Sequence, residues 1–154
     1  MRQITNALLS LWNNSLTHGF LLPENILLYS NGNSIMYKLL DVELISRIPN
    51  SYERMILESD YFAPLDPELL HFLSNLESNI HYKSSYDIWQ LGITTLCYIF
   101  NEDFNIFYNW NKREIKSEKI NQFIGILNNV NYDQNLIKLI SMMLDPNQYS
   151  RISL

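Results

Sequence analysis

The 154 residues include one cysteine, four glycines and no run of basic residues. A single thiol, Cys97, excludes an internal disulfide and a cysteine-based zinc site. Cys97 lies in an apolar run and reads as a buried thiol in a reducing compartment, cytoplasmic or nuclear. Gly19, Gly32, Gly92 and Gly125 are too few and too scattered to build a Gly-rich phosphate loop. Without a basic patch, and with a net charge of −5, the chain is not expected to bind nucleic acid or an anionic membrane. No segment offers the ~18 uninterrupted apolar residues of a transmembrane helix. The N-terminus lacks the long apolar core and small-residue cleavage site of a secretory signal. The Asn13-Asn14-Ser15 sequon is therefore read as accidental.

What remains is an ordinary globular composition, 47% hydrophobic and 18% charged, long enough for one domain over 1–154 with a real core. Ile4, Leu8, Leu9, Leu11, Trp12 and Leu16 share a helical face, so 3–16 is expected to form an amphipathic helix. Gly19 and Pro23 break it into a loop over 17–25. Ile26–Tyr29 and Ser34–Leu40 read as strands joined by an Asn31-Gly32 turn. Residues 41–68 carry three prolines and little periodicity, and 69–77 suggests a short helix. The segment 84–100, SSYDIWQLGITTLCYIF, is apolar nearly all round and belongs at the centre of a domain. Its one charge, Asp87, is costly there unless satisfied, so it requires a partner. Residues 101–116 read as a polar, aromatic loop. Ser117 is expected to cap a helix over 118–128, and Asp133 a helix over 134–144 that Pro146 ends.

Five blocks then fall in a meaningful order. They are His18-Gly19-Phe20-Leu21-Leu22-Pro23-Glu24-Asn25, Lys38-Leu39-Leu40-Asp41-Val42-Glu43, Tyr61-Phe62-Ala63-Pro64-Leu65-Asp66-Pro67-Glu68, Tyr86-Asp87-Ile88-Trp89-Gln90-Leu91-Gly92, and Met143-Leu144-Asp145-Pro146 with Arg151. Together they resemble the C-terminal lobe of the eukaryotic protein kinase family. The blocks are similar, in turn, to its H-R-D-L-x-x-x-N loop, D-F-G strand, A-P-E segment, D-I-W-S-L-G helix and closing Arg motif. The resemblance implies a mainly α fold. A helical bundle surrounds a central buried helix at about 84–100, with a small β-hairpin at about 26–40 and the N-lobe absent. It also implies that Asp87 accepts hydrogen bonds from the loop backbone around His18 and Gly19. It pairs Glu68 with Arg151.

Three departures fall on the chemistry. Phe20 stands at the position of the catalytic base, and a phenyl ring accepts no proton. Leu22 stands at the loop Lys position, and Gly19 at that of the Arg that receives an activation-segment phosphate. Ser46, Ser51, Tyr52, Ser59 and Tyr61 are accordingly read as ordinary polar loop residues, and Glu24 is not expected to replace the base. Glu43 replaces the Gly of D-F-G. Asn25 and Asp41 take the cofactor-binding positions as vestiges, and Asn25, Asp41 and Glu43 form at best a weak metal site. No cofactor is expected; ATP and magnesium enter only if an N-lobe is supplied by another chain.

The leading expectation is a kinase-like domain without catalysis, a pseudokinase fragment that acts as a scaffold. Its partner is a protein or a second copy, bound through apolar residues of Leu21, Leu22 and the hairpin on the N-lobe-facing surface. The alternative is the C-terminal part of a split or larger Ser/Thr kinase. A nonfunctional gene product and an unrelated helical binding domain are the remaining readings.

Overall fold

A computed structural model describes residues 1–30, 32–40, 64–75 and 84–153. Asn31, Asp41, Glu43, Ser46, Ser51, Tyr52, Ser59 and Tyr61 lie outside these described residues. The chain runs as α1 (Arg2–Asn13), a 3-10 turn (Pro23–Asn25), β1 (Ile26–Ser30) and β2 (Ile35–Leu39). Then come α2 (Pro67–Asn75), α3 (Ser84–Phe100), a second 3-10 turn (Phe104–Phe107), β3 (Tyr108–Asn109), β4 (Glu114–Ile115), α4 (Ser117–Asn129) and α5 (Gln134–Met143). Among the described residues the fold is mainly α, with two small antiparallel ladders, β1–β2 and β3–β4.

α3 is the core element. Eleven of its residues are buried, from Tyr86 to Cys97. The helices around it each contribute one apolar stripe, because 3.6-residue periodicity sets every third or fourth side chain on one face. α1 supplies Ile4 and Leu8, α4 supplies Ile120, Phe123 and Leu127, and α5 supplies Ile137, Ile140 and Met143. α5 and the residue after it pack closely against α3 at Gly92. A Cβ built there would lie 2.7 Å from Leu144 Cδ2 and 3.2 Å from Met143 Cβ. Cys97 is buried in α3, and burial, followed by the negative charges of Asp103 and Glu24, pushes its thiol up to about 12.

The segment 101–116 is more ordered than a polar loop. Asp103 caps the turn Phe104–Phe107 by accepting the Asn105 N–H at 2.7 Å. Phe107 then sits edge-on to Phe123 at 5.3 Å between ring centroids, and Tyr108 stacks on Trp110 at 4.7 Å. Large aromatic area buried in T-shaped and offset contacts fixes this strip to the core. Ser117 is the first residue of α4 rather than its cap; the cap position is Lys116, with no side-chain bond to the helix. Asp133 does cap α5, accepting the N–H groups of Asn135 and Leu136 at 2.8 and 3.0 Å.

The surface expected to carry exposed leucines from both the loop and the hairpin is divided. Leu21 and Leu22 are buried, because the loop lies against α3. The hairpin does stand out, with Leu27, Leu28, Tyr29, Ile35 and Met36 exposed.

Overpacking a close helix contact costs ~1–3 kcal/mol, against roughly 1 kcal/mol that Ala gains over Gly in a helix interior. Gly92→Ala is therefore expected to lower the urea midpoint of unfolding. A raised midpoint would mean that Leu144 moves aside without strain.

Candidate functional site

The loop between α1 and β1 is built against one face of α3. Asp87, Gln90 and Thr94 lie at i, i+3 and i+7, so one helical face carries all three. Asp87 Oδ2 accepts the His18 N–H at 2.9 Å and Oδ1 the Gly19 N–H at 2.7 Å. Gln90 bonds the loop twice: its Oε1 accepts the Leu21 N–H at 2.9 Å, and its Nε2 donates to the Gly19 carbonyl at 2.8 Å. Thr94 Oγ1 donates to the Leu21 carbonyl at 2.7 Å. Gly19 has φ 71°, in the left-handed region that a glycine enters without a Cβ clash.

A further donor comes from outside the loop. Trp12 Nε1, at the end of α1, donates to Asp87 Oδ2 at 2.9 Å. Burial pushes the Asp87 carboxyl above its ordinary value, while the Trp12 indole and the Gly19 and His18 amides stabilise its anion. His18 is fully buried, and its Nδ1 accepts the Phe20 N–H at 3.3 Å. The Phe20 ring is half-buried and packs against the core. Leu22 is buried.

Asn25 is also turned inward. Its Nδ2 donates to the Phe20 carbonyl at 2.9 Å, and its own carbonyl accepts the Leu40 N–H at 2.9 Å. The Asn25 side chain thus ties the loop to itself through its nitrogen, whereas a cation would take its oxygen. Asp41 and Glu43, its suggested co-ligands, lie outside the described residues. Among the described residues no group of three or more His, Cys, Asp or Glu side chains is placed to hold a metal ion.

Arg151 makes the second buried polar centre. Its Nη1 donates to Asp66 Oδ2 at 2.9 Å and to the Ser85 carbonyl at 2.8 Å, and its Nε donates to the Asp145 carbonyl at 2.9 Å. The guanidinium carbon lies 5.1 Å from the centre of the Trp89 ring, within cation–π range. The carboxylate holding Arg151 is therefore Asp66, not the expected Glu68. The physical reason is the start of α2. Asp66 precedes Pro67, the first helical residue, and its Oδ1 accepts the Leu69 N–H at 2.8 Å, which leaves Oδ2 facing Arg151. Glu68, inside the first turn, accepts a hydrogen bond from Tyr86 Oη at 3.4 Å. Burial raises the Asp66 carboxyl above its ordinary value, against the pull of the Leu69 amide and Arg151.

Gln90, Thr94, Trp12 and Asp66 are missing from the sequence-based site. For Gln90 and Thr94 the signal was present: three polar residues on one face of an otherwise apolar helix. For Trp12 there was none, since an indole on an apolar stripe reads as core.

A cleft of about 540 Å³ lies elsewhere, among α2, β4 and α4, lined by residues including Pro67, Trp89, Arg113 and Leu144 and by none of the loop. No helix among the described residues is long and apolar enough to cross a membrane. In comparisons with known proteins, the family model described as protein kinase domain matches residues 1–154. No curated protein and no solved structure matches the chain.

Each buried donor left without its acceptor costs ~1–3 kcal/mol, so Asp87→Ala, which orphans three, is expected to cost roughly 3–5 kcal/mol. Trp12→Phe keeps the ring and removes one bond, for a loss of about 1 kcal/mol. Equal losses from the two variants, measured by urea unfolding, would show that the backbone donors find water instead. Asp66→Ala strands a buried guanidinium and is expected to cost ~3–5 kcal/mol. A loss under about 1 kcal/mol, in the range of a surface pair, would remove Asp66 from that role.

Proposed function

We propose, from the premise that the chain belongs to the protein kinase family, that it is a kinase-like module that binds another protein surface and transfers no phosphate. One observation carries this reading. The loop that should present a catalytic base is held in place by Asp87, Gln90 and Thr94, and it presents Phe20. Phosphoryl transfer by this family works by positioning and charge: a carboxylate takes the hydroxyl proton, while cations and metal ions offset the phosphate charge. Phe20 offers a π face and Leu22 an alkyl chain. Neither accepts a proton or carries a charge.

The side chains left near the loop do not fit a magnesium nucleotide on their own. Asn25 spends its amide nitrogen on the Phe20 carbonyl and offers a cation one neutral oxygen, and Leu22 fills the place of a cationic side chain with buried carbon. Binding, by contrast, has a surface available. The hairpin exposes apolar side chains on both of its faces, and exposed apolar area of this kind marks interaction sites. The scaffold reading thus puts partner recognition on β1 and β2 and leaves the loop a structural part.

A ligand that binds only the folded state raises its stability by mass action. The purified chain is expected to melt at the same temperature with and without ATP and magnesium. It is also expected to phosphorylate a generic acceptor protein no faster than its own Asp41→Ala variant. A clear upward shift in melting, or transfer that Asp41→Ala abolishes, would return the chain to the enzymes.

A further inference from the structure

The two edges of the hairpin are not equivalent. In an antiparallel ladder, successive residues alternate between facing the partner strand and facing away from it. The Leu40 N–H bond to the Asn25 carbonyl sets the phase. With the register Ile26↔Leu39, Leu27↔Lys38, Leu28↔Tyr37 and Tyr29↔Met36, the backbone groups of Ile26, Leu28 and Ser30 turn outward on β1. Those of Ile35, Tyr37 and Leu39 turn outward on β2.

The β2 edge is closed from within the chain. Gln3, on α1, donates from Nε2 to the Ile35 carbonyl at 3.0 Å and accepts the Tyr37 N–H on Oε1 at 2.7 Å. A side-chain amide thereby makes the two bonds that one residue of a neighbouring strand would make. Proteins blunt exposed edges by such devices, since a row of open backbone groups recruits another strand.

The β1 edge has no equivalent. The Ile26 N–H is taken by the Pro23 carbonyl. Among the described residues nothing is bonded to the outward Leu28 N–H and carbonyl or to the Ser30 N–H. β1, with the sequence ILLYS, carries no charge, no proline and no bulge, and Leu27, Leu28 and Tyr29 are about half exposed.

We propose that β1 pairs antiparallel with β1 of a second copy of this chain, about a twofold axis through Leu28, to make a four-stranded sheet. The sequence of β1 suits its own copy. Such an isologous contact pairs each residue with its mirror position. Leu28 meets Leu28 and exchanges two hydrogen bonds with it. Leu27 meets Tyr29, an aliphatic–aromatic pair of the kind that stabilises sheets. Ser30 donates to the Ile26 carbonyl, the one group of Ile26 still open. Charge permits the contact although the chain carries −5. β1 has no ionisable group, and the nearest carboxylate in sequence, Glu24, falls opposite Gly32 of the second copy rather than opposite itself. Two added strands also support a hairpin that, alone, is marginal in water.

This pairing names the partner for the binding reading above and rests on that reading only for the function of the dimer. The test is sedimentation velocity of the full chain across its soluble concentration range, with three variants. The wild type is expected to shift from one chain mass to two as concentration rises. Leu28→Pro removes the outward N–H without touching the β1–β2 ladder, because proline is tolerated where the N–H faces away. It is expected to stay monomeric with an unchanged far-ultraviolet circular dichroism spectrum. If Leu28→Pro loses its helical signal, Leu28→Lys decides: it sets two like charges on the axis, and a monomer supports the pairing while a dimer overturns it. Gln3→Ala, which opens only the β2 edge, is expected to keep at least the dimer. A wild type monomeric throughout means that the edge is left open or serves a foreign strand, and it overturns the proposal. So does a dimer that survives Leu28→Pro, or one that Gln3→Ala abolishes without change in melting. None of these results bears on the nucleotide measurements, so the two readings fail separately.

Discussion

The buried carboxylate of Asp87 is the constraint from which much of the described structure follows. An anion in an apolar helix at the centre of a domain is tolerated only where donors converge on it. Three do: the His18 and Gly19 amides and the Trp12 indole. Meeting that demand fixes the loop to α3, and it fixes the end of α1 to both. The left-handed Gly19 follows from the same demand, since successive N–H groups must turn toward one carboxylate. Gln90 and Thr94 extend the contact along the helix, so that the loop backbone is bonded at residues 18, 19 and 21.

The first turn of α3 is a junction for a second reason. Two residues before Asp87, the Ser85 carbonyl accepts from Arg151, and Arg151 also reaches Asp66 and Asp145 and lies over Trp89. One end of one helix therefore ties together α1, the loop, the start of α2 and the residues after α5. Both buried centres are charged, and both are satisfied largely by backbone groups. A mispositioned α3 would leave a carboxylate and a guanidinium without partners, which opposes any slip in register more strongly than apolar packing alone.

Much of this was legible in the sequence, and the failures have physical causes. α3 runs over the residues that its apolar run suggested, because a continuously apolar helix has no face to trade with a loop. The hairpin and α5 were readable from turn chemistry and from the Asp133 cap. Asp87 announced a partner by being the only charge in its helix. The Arg151 pair goes to Asp66 rather than Glu68 because Glu68 lies three places beyond where A-P-E spacing sets its Glu, whereas the geometry obeys the nearest helix start: Asp66 precedes Pro67 and is aimed by its own capping bond. Leu21 and Leu22 belong at the surface only if the loop faces another lobe, and hydrogen bonds from α3 draw them inward instead. The Trp12 bond depends on a contact between distant segments, for which a single sequence carries no period, and β3 and β4 are two residues each, too short to show an alternation.

The way the loop is held bears on what can change within it. The five hydrogen bonds from Asp87, Gln90 and Thr94 described above end on loop backbone atoms: two amides on Asp87, an amide and a carbonyl on Gln90, a carbonyl on Thr94. None reads the side chain at 19, 20 or 22. Shape and chemistry in this loop are therefore set by different atoms, and substitution at the chemical positions leaves the anchoring bonds intact. Position 19 has the narrower choice, since its φ of 71° favours glycine. Positions 20 and 22 are free to become apolar, and there they gain from it: Phe20 packs on the core and Leu22 is buried. A charged base and a lysine at those places would have to face solvent or a ligand to be satisfied. Phe and Leu carry no such requirement, so at these two positions the loop stands as a piece of hydrophobic core.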